Sequence, residues 1–280
     1  MNFNQSIFEN KKERKVPFLV AHRGVNGANV PCNTLASYQI ALNQGADVVE
    51  IDITKSLDGQ YFIFHPGMEN VFLKCGKTIP EMTAAEISQI PLLNLDEVPT
   101  HYHVPTLEEA FALLKGKAYI NVDKFWTDIK GITEVIRRCG VEKQVIVKTP
   151  VEEQYFAEVE RFAPDLMYMP LARHTDTVTE LFMGRNIHYI GIEALFDDLN
   201  DEVASLEYIR SMHEKGYLVW GNSIVYDEND IISAGLTDDI SLEKGGDFGW
   251  GKFVDMGFDF IQTDWLLAVK SYFQKKGLEV

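Results

Sequence analysis

Short apolar runs alternate along the chain with longer amphipathic stretches. The runs rich in β-branched and aromatic residues lie at residues 18–21, 48–53, 119–122, 145–147, 166–169, 189–192, 218–220 and 258–261. Each run has the length of a buried strand, and the stretches between them can form crossover helices. Thr34 and Thr106 precede two of the helical patterns, and Glu109 completes a capping-box pattern with Thr106. This alternation predicts an α/β fold, a (β/α)8 barrel of the TIM type.

A ninth apolar run, at residues 61–64, follows the dipeptide Asp58-Gly59. Because this dipeptide is typical of a two-residue hairpin turn, we expect the run to fold back antiparallel on the second strand. With the turn centred between Asp58 and Gly59, His65 would pair with Asp52.

The longest stretch without a predicted barrel strand covers residues 66–117. It holds a short predicted helix at residues 82–90 and the helix that begins after Thr106, which is too little for a second domain. We expect one domain over residues 1–280, with residues 66–117 as a lid or cap over the barrel mouth. A second long connection, residues 222–251, is expected near the same mouth.

Composition narrows the classes of function. The net charge of -16 argues against non-specific binding to nucleic acid or to anionic membranes, because clustered Lys and Arg hold both. The three widely spaced cysteines favour reduced thiols. The N-terminal stretch is polar and charged, without the apolar segment of a signal peptide or a membrane span. We therefore expect a cytoplasmic protein, unless a leader was removed, that acts on a small molecule without stable membrane insertion, in an oligomeric state left open.

Two histidines and three carboxylates lie where predicted strands end. Glu50 and Asp52 project to one side of the second strand, Asp123 closes the third, and His22 and His65 follow two other runs. Clustered carboxylates favour a hard divalent cation, Mg²⁺ or Ca²⁺, with Mn²⁺ also acceptable. Two histidines beside them can give and take a proton. The pattern predicts metal-assisted cleavage of a phosphodiester, with the carboxylates as ligands and the histidines as catalysts.

Other residues at strand ends are candidates for binding phosphate or substrate: Arg23, Lys148, Glu193, Trp220 and Asn222. Glu193 and Asn222 would line the pocket floor or bind substrate hydroxyls, whereas the other three also have a structural explanation. Arg23 suits bidentate binding of phosphate, or else a salt bridge to a barrel carboxylate. Lys148 is either a second cation of the site or a solvent-facing lysine, and Trp220 lines the pocket or packs at the rim.

The order and spacing of these residues resemble the glycerophosphodiester phosphodiesterase family. The matching motifs are His22-Arg23-Gly24, Pro31-x-Asn33-Thr34, Gly45-Ala46-Asp47, Glu50-x-Asp52, Asp58-Gly59 and His65, with weaker matches at residues 104–109, 220–222, 257–259 and 263–264. The resemblance implies a TIM-type barrel that hydrolyses glycerophosphodiesters to sn-glycerol 3-phosphate and an alcohol with bound Ca²⁺ or Mg²⁺. It also implies the site roles, namely acid and base for His22 and His65, metal ligands at Glu50, Asp52 and Asp123, and phosphate contact by Arg23.

Some positions depart from the family pattern. Cys32 stands where the family usually has Glu, and Pro66 stands where Asp follows the second histidine. The family's usual Pro after the Thr-Asp pair is replaced by the apolar residues 265–267, a change expected to concern the closing helix rather than the chemistry.

The third acid departs as well. The family usually has Glu with Lys two residues later, whereas this chain has Asp123 followed by Lys124 and Phe125. Strand alternation would point Lys124 away from the side that Asp123 faces. We therefore hypothesise that Lys148 replaces the missing lysine.

Two other interpretations stay open. A cyclising or phospholipase-D-like phosphodiesterase acting on a lipid would share the histidines and acids, although the sequence has no apolar membrane-docking loop. A barrel that binds a phosphodiester without turning it over is suggested by Cys32 and the displaced lysine. The retention of both histidines and all three acids favours the hydrolase, and leaves open which histidine is the acid.

Overall fold

The computed structural model describes residues 1–225 and 227–278. The strands are β1 Phe18–Ala21, β2 Val48–Lys55, β3 Tyr61–Ile63, β4 Pro91–Leu93, β5 Pro99–His103, β6 Tyr119–Asp123, β7 Val145–Val147, β8 Met167–Tyr168, β9 Leu171–Arg173, β10 Gly191–Leu195, β11 Leu218–Asn222 and β12 Phe260–Thr263. The α-helices are α1 Ile7–Lys12, α2 Leu35–Asn43, α3 Glu69–Phe72, α4 Ala84–Ile87, α5 Leu107–Leu114, α6 Ile129–Cys139, α7 Glu153–Phe162, α8 Thr179–Phe182, α9 Leu206–Glu214, α10 Asp238–Lys244, α11 Trp250–Met256 and α12 Leu266–Lys275. None of these described helices has the length and apolarity needed to cross a bilayer.

The parallel strands close into a barrel, as predicted. Strand β1 pairs with both β2 and β12, and the ladder continues from β2 through β6 and β7 to β8 and from β12 through β11 and β10 to β9. Strands β8 and β9 occupy one position in the barrel, interrupted at Pro170, which has no N–H to give to a ladder. A parallel bridge between Tyr168 and Tyr189 closes the ring. The predicted run at residues 166–169 therefore supplies only β8, and the barrel strand continues as β9 after Pro170.

Two strands begin later than their apolar runs. Tyr189 and Phe258 open the predicted runs, but β10 begins at Gly191 and β12 at Phe260. The rings of Tyr189 and Phe258 instead pack against Phe182 of α8 and Phe253 of α11, with centroids 5.0 and 5.1 Å apart. Apolarity alone does not separate a strand from the packed residues that lead into it.

The predicted hairpin is present, but its predicted register is wrong by one residue. Lys55 pairs with Tyr61 and Ile53 with Ile63, so Asp52 lies opposite Phe64, whose N–H donates to the Asp52 carbonyl, and not opposite His65. The turn centres on Asp58, with the next residue, Gly59, at φ +90°. The loop is a type I turn followed by a left-handed glycine, so it has three residues where the predicted turn has two.

Residues 66–105 form a small unit on the mouth side of β3. Strands β4 and β5 make an antiparallel hairpin that the sequence did not predict, and α4 is shorter than the predicted helix at residues 82–90 because Pro91 begins β4. The unit packs around an apolar cluster separate from the barrel core, which includes Phe64, Leu73, Met82 and Leu92. Helix α5 belongs instead to the main core, so the segment outside that core is shorter than the predicted residues 66–117.

The barrel interior is filled by apolar side chains from the inward faces of the strands, among them Phe18, Tyr119, Trp220 and Phe260. Helix α1 covers the end opposite the functional mouth. The side chain of Ile7 is only 2% exposed and packs in the interior cluster. Asn10 Nδ2 donates a hydrogen bond to the Tyr119 hydroxyl at 2.7 Å. The polar N-terminal sequence gave no sign of this helix, because only one of its faces contributes apolar residues to the barrel.

Candidate active site

Three carboxylates meet at the carboxyl ends of β2 and β6. Asp52 and Asp123 are direct neighbours in the parallel register, and Glu50 lies two residues before Asp52 on the same strand. One oxygen of each carboxylate lies within 4.8 Å of one oxygen of the other two. The three side chains predicted from the sequence to converge do converge.

The electrostatics of this cluster fit a divalent cation. Burial raises the pKa of Glu50 to about 8, and the charge of Asp52 adds to the effect. Asp52 Oδ1 is buried without a hydrogen-bond partner. Buried, mutually repelling carboxylate oxygens are costly unless a positive charge compensates them. Their chemistry is that of a hard-metal site.

The second oxygen of Asp52 is held by the β1–α2 loop. Arg23 Nε lies 2.9 Å from Asp52 Oδ2, and Asn33 Nδ2 donates to the same oxygen at 2.8 Å. The Arg23 backbone N–H donates to Glu50 Oε2 at 2.8 Å. The salt bridge considered for Arg23 is therefore present, and Asn33 is a site residue whose only sequence signal was its place in a motif.

The backbone after His22 explains the His-Arg-Gly motif. Arg23 and Gly24 adopt φ values of +58° and +80°. A Cβ at Gly24 would lie 2.6 Å from Ser37 Oγ in the first turn of α2. Only glycine allows this left-handed turn to pack so closely, and the turn is what places His22 and Arg23 at the mouth.

His22 is oriented by an aspartate that the sequence analysis did not select. Its Nδ1 lies 2.8 Å from Asp264 Oδ1, and the Asp264 N–H donates to Asp238 Oδ2 at 2.8 Å. Burial lowers the pKa of His22, but the hydrogen bond and charge of Asp264 raise it above its usual value overall. Since Nδ1 is engaged, Nε2 is the nitrogen left for proton exchange. The Thr263-Asp264 motif at the end of β12 was the available signal for Asp264.

His65 has a different environment. Neither of its ring nitrogens has a hydrogen-bond partner, although both are buried. Burial lowers the pKa of His65, and the opposing effect of Asp52 does not restore it. His65 sits just before a tight turn in which Met68 N–H donates to the His65 carbonyl and Pro66 occupies the second position. Pro66 therefore shapes this turn.

The expectation that Lys124 points away from Asp123 is wrong. Lys124 Nζ donates to Asp123 Oδ2 at 2.7 Å and borders the cavity above the carboxylates. Strand alternation does not apply here because Lys124 follows the last residue of β6 and has a left-handed backbone, with φ +62°. The left-handed residue turns its side chain back over the carboxylate before it.

Lys148 and Glu193 form a buried pair deeper in the mouth. Lys148 Nζ lies 2.5 Å from Glu193 Oε2, and Asn222 Nδ2 donates to Glu193 Oε1 at 2.7 Å. Trp220 is fully buried beneath them, with Lys148 Nζ 3.2 Å from its ring centroid. Lys148 is thus not solvent-facing, and Trp220 supports Lys148 rather than lining the cavity or packing at the rim.

These groups surround a cavity of about 260 Å³. Its lining includes His22, Glu50, Asp123, Lys124, Lys148 and Glu193. Asn121, two residues before Asp123 on β6, also lines the cavity, and its Oδ1 is buried without a hydrogen-bond partner. The cavity brings the carboxylates Glu50 and Asp123 together with His22 and two lysines, whereas His65 is not among its lining residues.

Comparison with known proteins agrees with this arrangement. The model of the glycerophosphoryl diester phosphodiesterase family matches residues 22–220, and a family described as a domain of unknown function matches residues 168–273. A glycerophosphodiester phosphodiesterase of Caldanaerobacter subterraneus subsp. tengcongensis is 27% identical over 156 residues, which cover 53% of this chain and 63% of that protein. One from Bacillus altitudinis is 27% identical over 128 residues, covering 45% of this chain and 50% of that protein. The matched part thus spans less than two thirds of either relative.

Solved structures share the fold. A glycerophosphoryl diester phosphodiesterase from Parabacteroides distasonis superimposes with a TM-score of 0.77 at 19% identity, covering 99% of this chain and 94% of that one. A phosphodiesterase from Oleispira antarctica, solved in complex with the product sn-glycerol-3-phosphate, gives 0.70 at 19% identity, covering 96% and 100%. With the family model matching more than half of its length, the chain belongs to the glycerophosphoryl diester phosphodiesterase family.

Proposed function

We propose that this protein hydrolyses glycerophosphodiesters to sn-glycerol 3-phosphate and an alcohol with the help of a divalent cation, Mg²⁺ or Ca²⁺. The observation that carries the proposal is the convergence of Glu50, Asp52 and Asp123 oxygens within 4.8 Å at a cavity that His22 also lines. Family membership and the product bound to the Oleispira antarctica relative support the same chemistry. Residues 66–105 act as a cap on a single-domain barrel.

The three carboxylates would hold the cation, and Asp52 Oδ1, buried without a hydrogen-bond partner, is an oxygen suited to bind it. Once bound, a divalent cation supplies positive charge to a phosphate oxygen. Arg23 Nε is in ion-pair contact with Asp52, which leaves its terminal nitrogens for a second phosphate oxygen. Lys124 and Lys148 bring further positive charge to the wall of an otherwise acidic site.

The two histidines divide the proton transfers. His22, hydrogen-bonded to Asp264 and with a raised pKa, holds the proton that the leaving alcohol oxygen needs. His65, whose pKa is lowered by burial, accepts the proton of the attacking water. Glu193 and Asn222, joined to each other and to Lys148, bind the glycerol hydroxyls.

Release of glycerol 3-phosphate tests the activity. Purified protein treated with EDTA is incubated with glycerophosphocholine or glycerophosphoethanolamine, with and without Mg²⁺, Ca²⁺ or Mn²⁺, and the products are identified by phosphorus NMR. We expect cation-dependent release of the monoester. A cyclic product would favour the cyclising reaction, and lack of turnover with every cation would favour a binding protein.

The histidine roles have a separate test. His22→Asn and His65→Asn should each lower kcat by about 100-fold or more on glycerophosphoethanolamine, while the exposed His188→Asn, distant from the mouth, should change nothing. A p-nitrophenyl ester of glycerol phosphate releases a good leaving group that needs no protonation. His22→Asn should therefore recover on this ester and His65→Asn should not; the reverse pattern would exchange the two roles.

A further inference from the structure

A second cavity of about 890 Å³ adjoins the first. It lies between the cap, which contributes Met68, Phe72 and Leu95, and the start of α12. His22 and Arg23 border both cavities. A phosphodiester held by these two residues would therefore have one half in each cavity.

The two cavities differ in chemistry. The inner one is lined by seven charged side chains in addition to His22 and Arg23: Glu50, Asp123, Lys124, Lys148, Arg173, Glu193 and Asp230. Among the described residues that line the outer one, charge is confined to His22, Arg23 and Asp264 at the inner end. Beyond them the walls are mainly aliphatic and aromatic. In a chain with a net charge of -16, such a surface is suited to an apolar group.

The departures from the family pattern meet in this outer cavity. Cys32, which stands where the family usually has Glu, and Trp265, Leu266 and Leu267, which stand around the position of the usual Pro, all line it. Burial raises the pKa of the Cys32 thiol to about 12, so the side chain stays neutral. The expectation that residues 265–267 concern only the closing helix is therefore incomplete, because they form one wall of this cavity.

Size supports the same conclusion. Ligand pockets for molecules of drug size occupy roughly 300–1,000 Å³, and the outer cavity is near the upper end at about 890 Å³. Choline or ethanolamine would leave most of this space empty, and Asp264, the only carboxylate among the described residues that line it, is engaged with His22. A flexible hydrocarbon chain fills the space and needs no counter-charge.

We propose that the alcohol half of the substrate carries an acyl chain or a comparable apolar group, which the outer cavity binds while the glycerol phosphate half occupies the inner one. This inference rests on the proposed phosphodiesterase function and names its substrate class.

Two substrates that differ only in the apolar group test the inference. The value of kcat/KM is measured for glycerophosphoethanolamine and for its N-octanoyl derivative, below the concentration at which the latter forms micelles. We expect the wild-type protein to favour the N-octanoyl diester by at least tenfold. Equal values, or a preference for glycerophosphoethanolamine or glycerophosphocholine, would overturn the inference and leave the phosphodiesterase function standing.

Exposed leucines allow a matched pair of variants. Leu95→Gln with Leu267→Gln places amides on both walls of the outer cavity, at side chains 67% and 56% exposed. Leu57→Gln with Leu181→Gln makes the same change at 66% and 53% exposure away from it. The first pair should lower kcat/KM for the N-octanoyl diester at least fivefold and that for glycerophosphoethanolamine less than twofold, whereas the second pair should change neither. Equal losses on both diesters would contradict the inference.

Binding separates the inference from the catalytic proposal. Calorimetry with N-octanoylethanolamine, the expected alcohol product, needs no turnover. Binding to the wild-type protein that the Leu95/Leu267 variant loses and the Leu57/Leu181 variant keeps supports the outer cavity as the site, even if no diester is hydrolysed. Absence of binding to the wild-type protein, or equal binding to both variants, overturns it.

Discussion

Replacing Lys148 by methionine should destabilise the fold strongly, because it leaves a buried carboxylate without its counter-ion. The side chains of Lys148 and Glu193 are 2% and 10% exposed, and their charged atoms lie 2.5 Å apart. Removal of one partner from such a pair costs about 3–5 kcal/mol. At about 2 °C per kcal/mol for a chain of this size, Lys148→Met should lower Tm by about 6–10 °C.

A second substitution separates stability from activity. In Lys148→Met/Glu193→Gln both charges are gone, and Asn222 Nδ2 keeps an amide oxygen to donate to. Urea unfolding should return to within about 1 kcal/mol of the wild type, because a neutral pair of similar size replaces the ion pair. If the Lys148–Glu193 pair binds substrate, kcat/KM should stay about 10–100-fold low, which corresponds to the loss of one charge-assisted hydrogen bond.

Lys55→Met is the matched control, since Lys55 pairs with Asp128 at 2.7 Å on the exposed surface. It should cost less than about 1 kcal/mol. A loss of similarly small size for Lys148→Met would refute the assignment of a buried ion pair. Wild-type kcat/KM in the double variant would show that Lys148 serves the fold alone and that it does not replace the family's lysine.

Three further predictions concern other parts of the molecule. Asp264→Asn should lower kcat by about 100-fold with little change in KM, because His22 loses the carboxylate charge that orients it and raises its pKa; unchanged kcat would remove Asp264 from the site. The hydrogen bond that His213 Nε2 donates to Asp259 raises the pKa of the half-exposed His213 above 6.5, so its stabilisation is present below that pH and is lost as pH rises through the folded-state value. Urea unfolding at pH 6 and pH 8 should differ by no more than about 1 kcal/mol from this source, and His213→Gln should abolish that difference. Ile7→Ala should cost about 2–5 kcal/mol in urea unfolding, and a loss below about 1 kcal/mol would mean that α1 does not close the barrel.

The barrel could be predicted from the sequence because strand length and helix caps are local properties. Thr34 and Thr106 cap the helices that their patterns indicated. The three carboxylates converge because Glu50 and Asp52 obey strand periodicity and Asp123 ends the neighbouring strand. These relations need only the period of a strand and the parallel order of the sheet.

The remaining features depend on backbone conformation and on contacts distant in the sequence. The hairpin register depends on a left-handed glycine at position 59, and the position of Lys124 depends on its own left-handed backbone. Asp238 reaches Thr263 and Asp264 only because α10 lies against the end of β12. Local sequence patterns do not encode such contacts.

The left-handed backbone of Lys124 also makes stability and activity compete at one position. A non-glycine residue at φ +62° costs about 1–2 kcal/mol relative to an unstrained conformation. Glycine would relieve that strain while removing the ammonium group beside Asp123. Engineering for heat resistance alone would therefore favour glycine at this position, and a thermostable variant obtained in that way would fold better and bind the phosphate group less well.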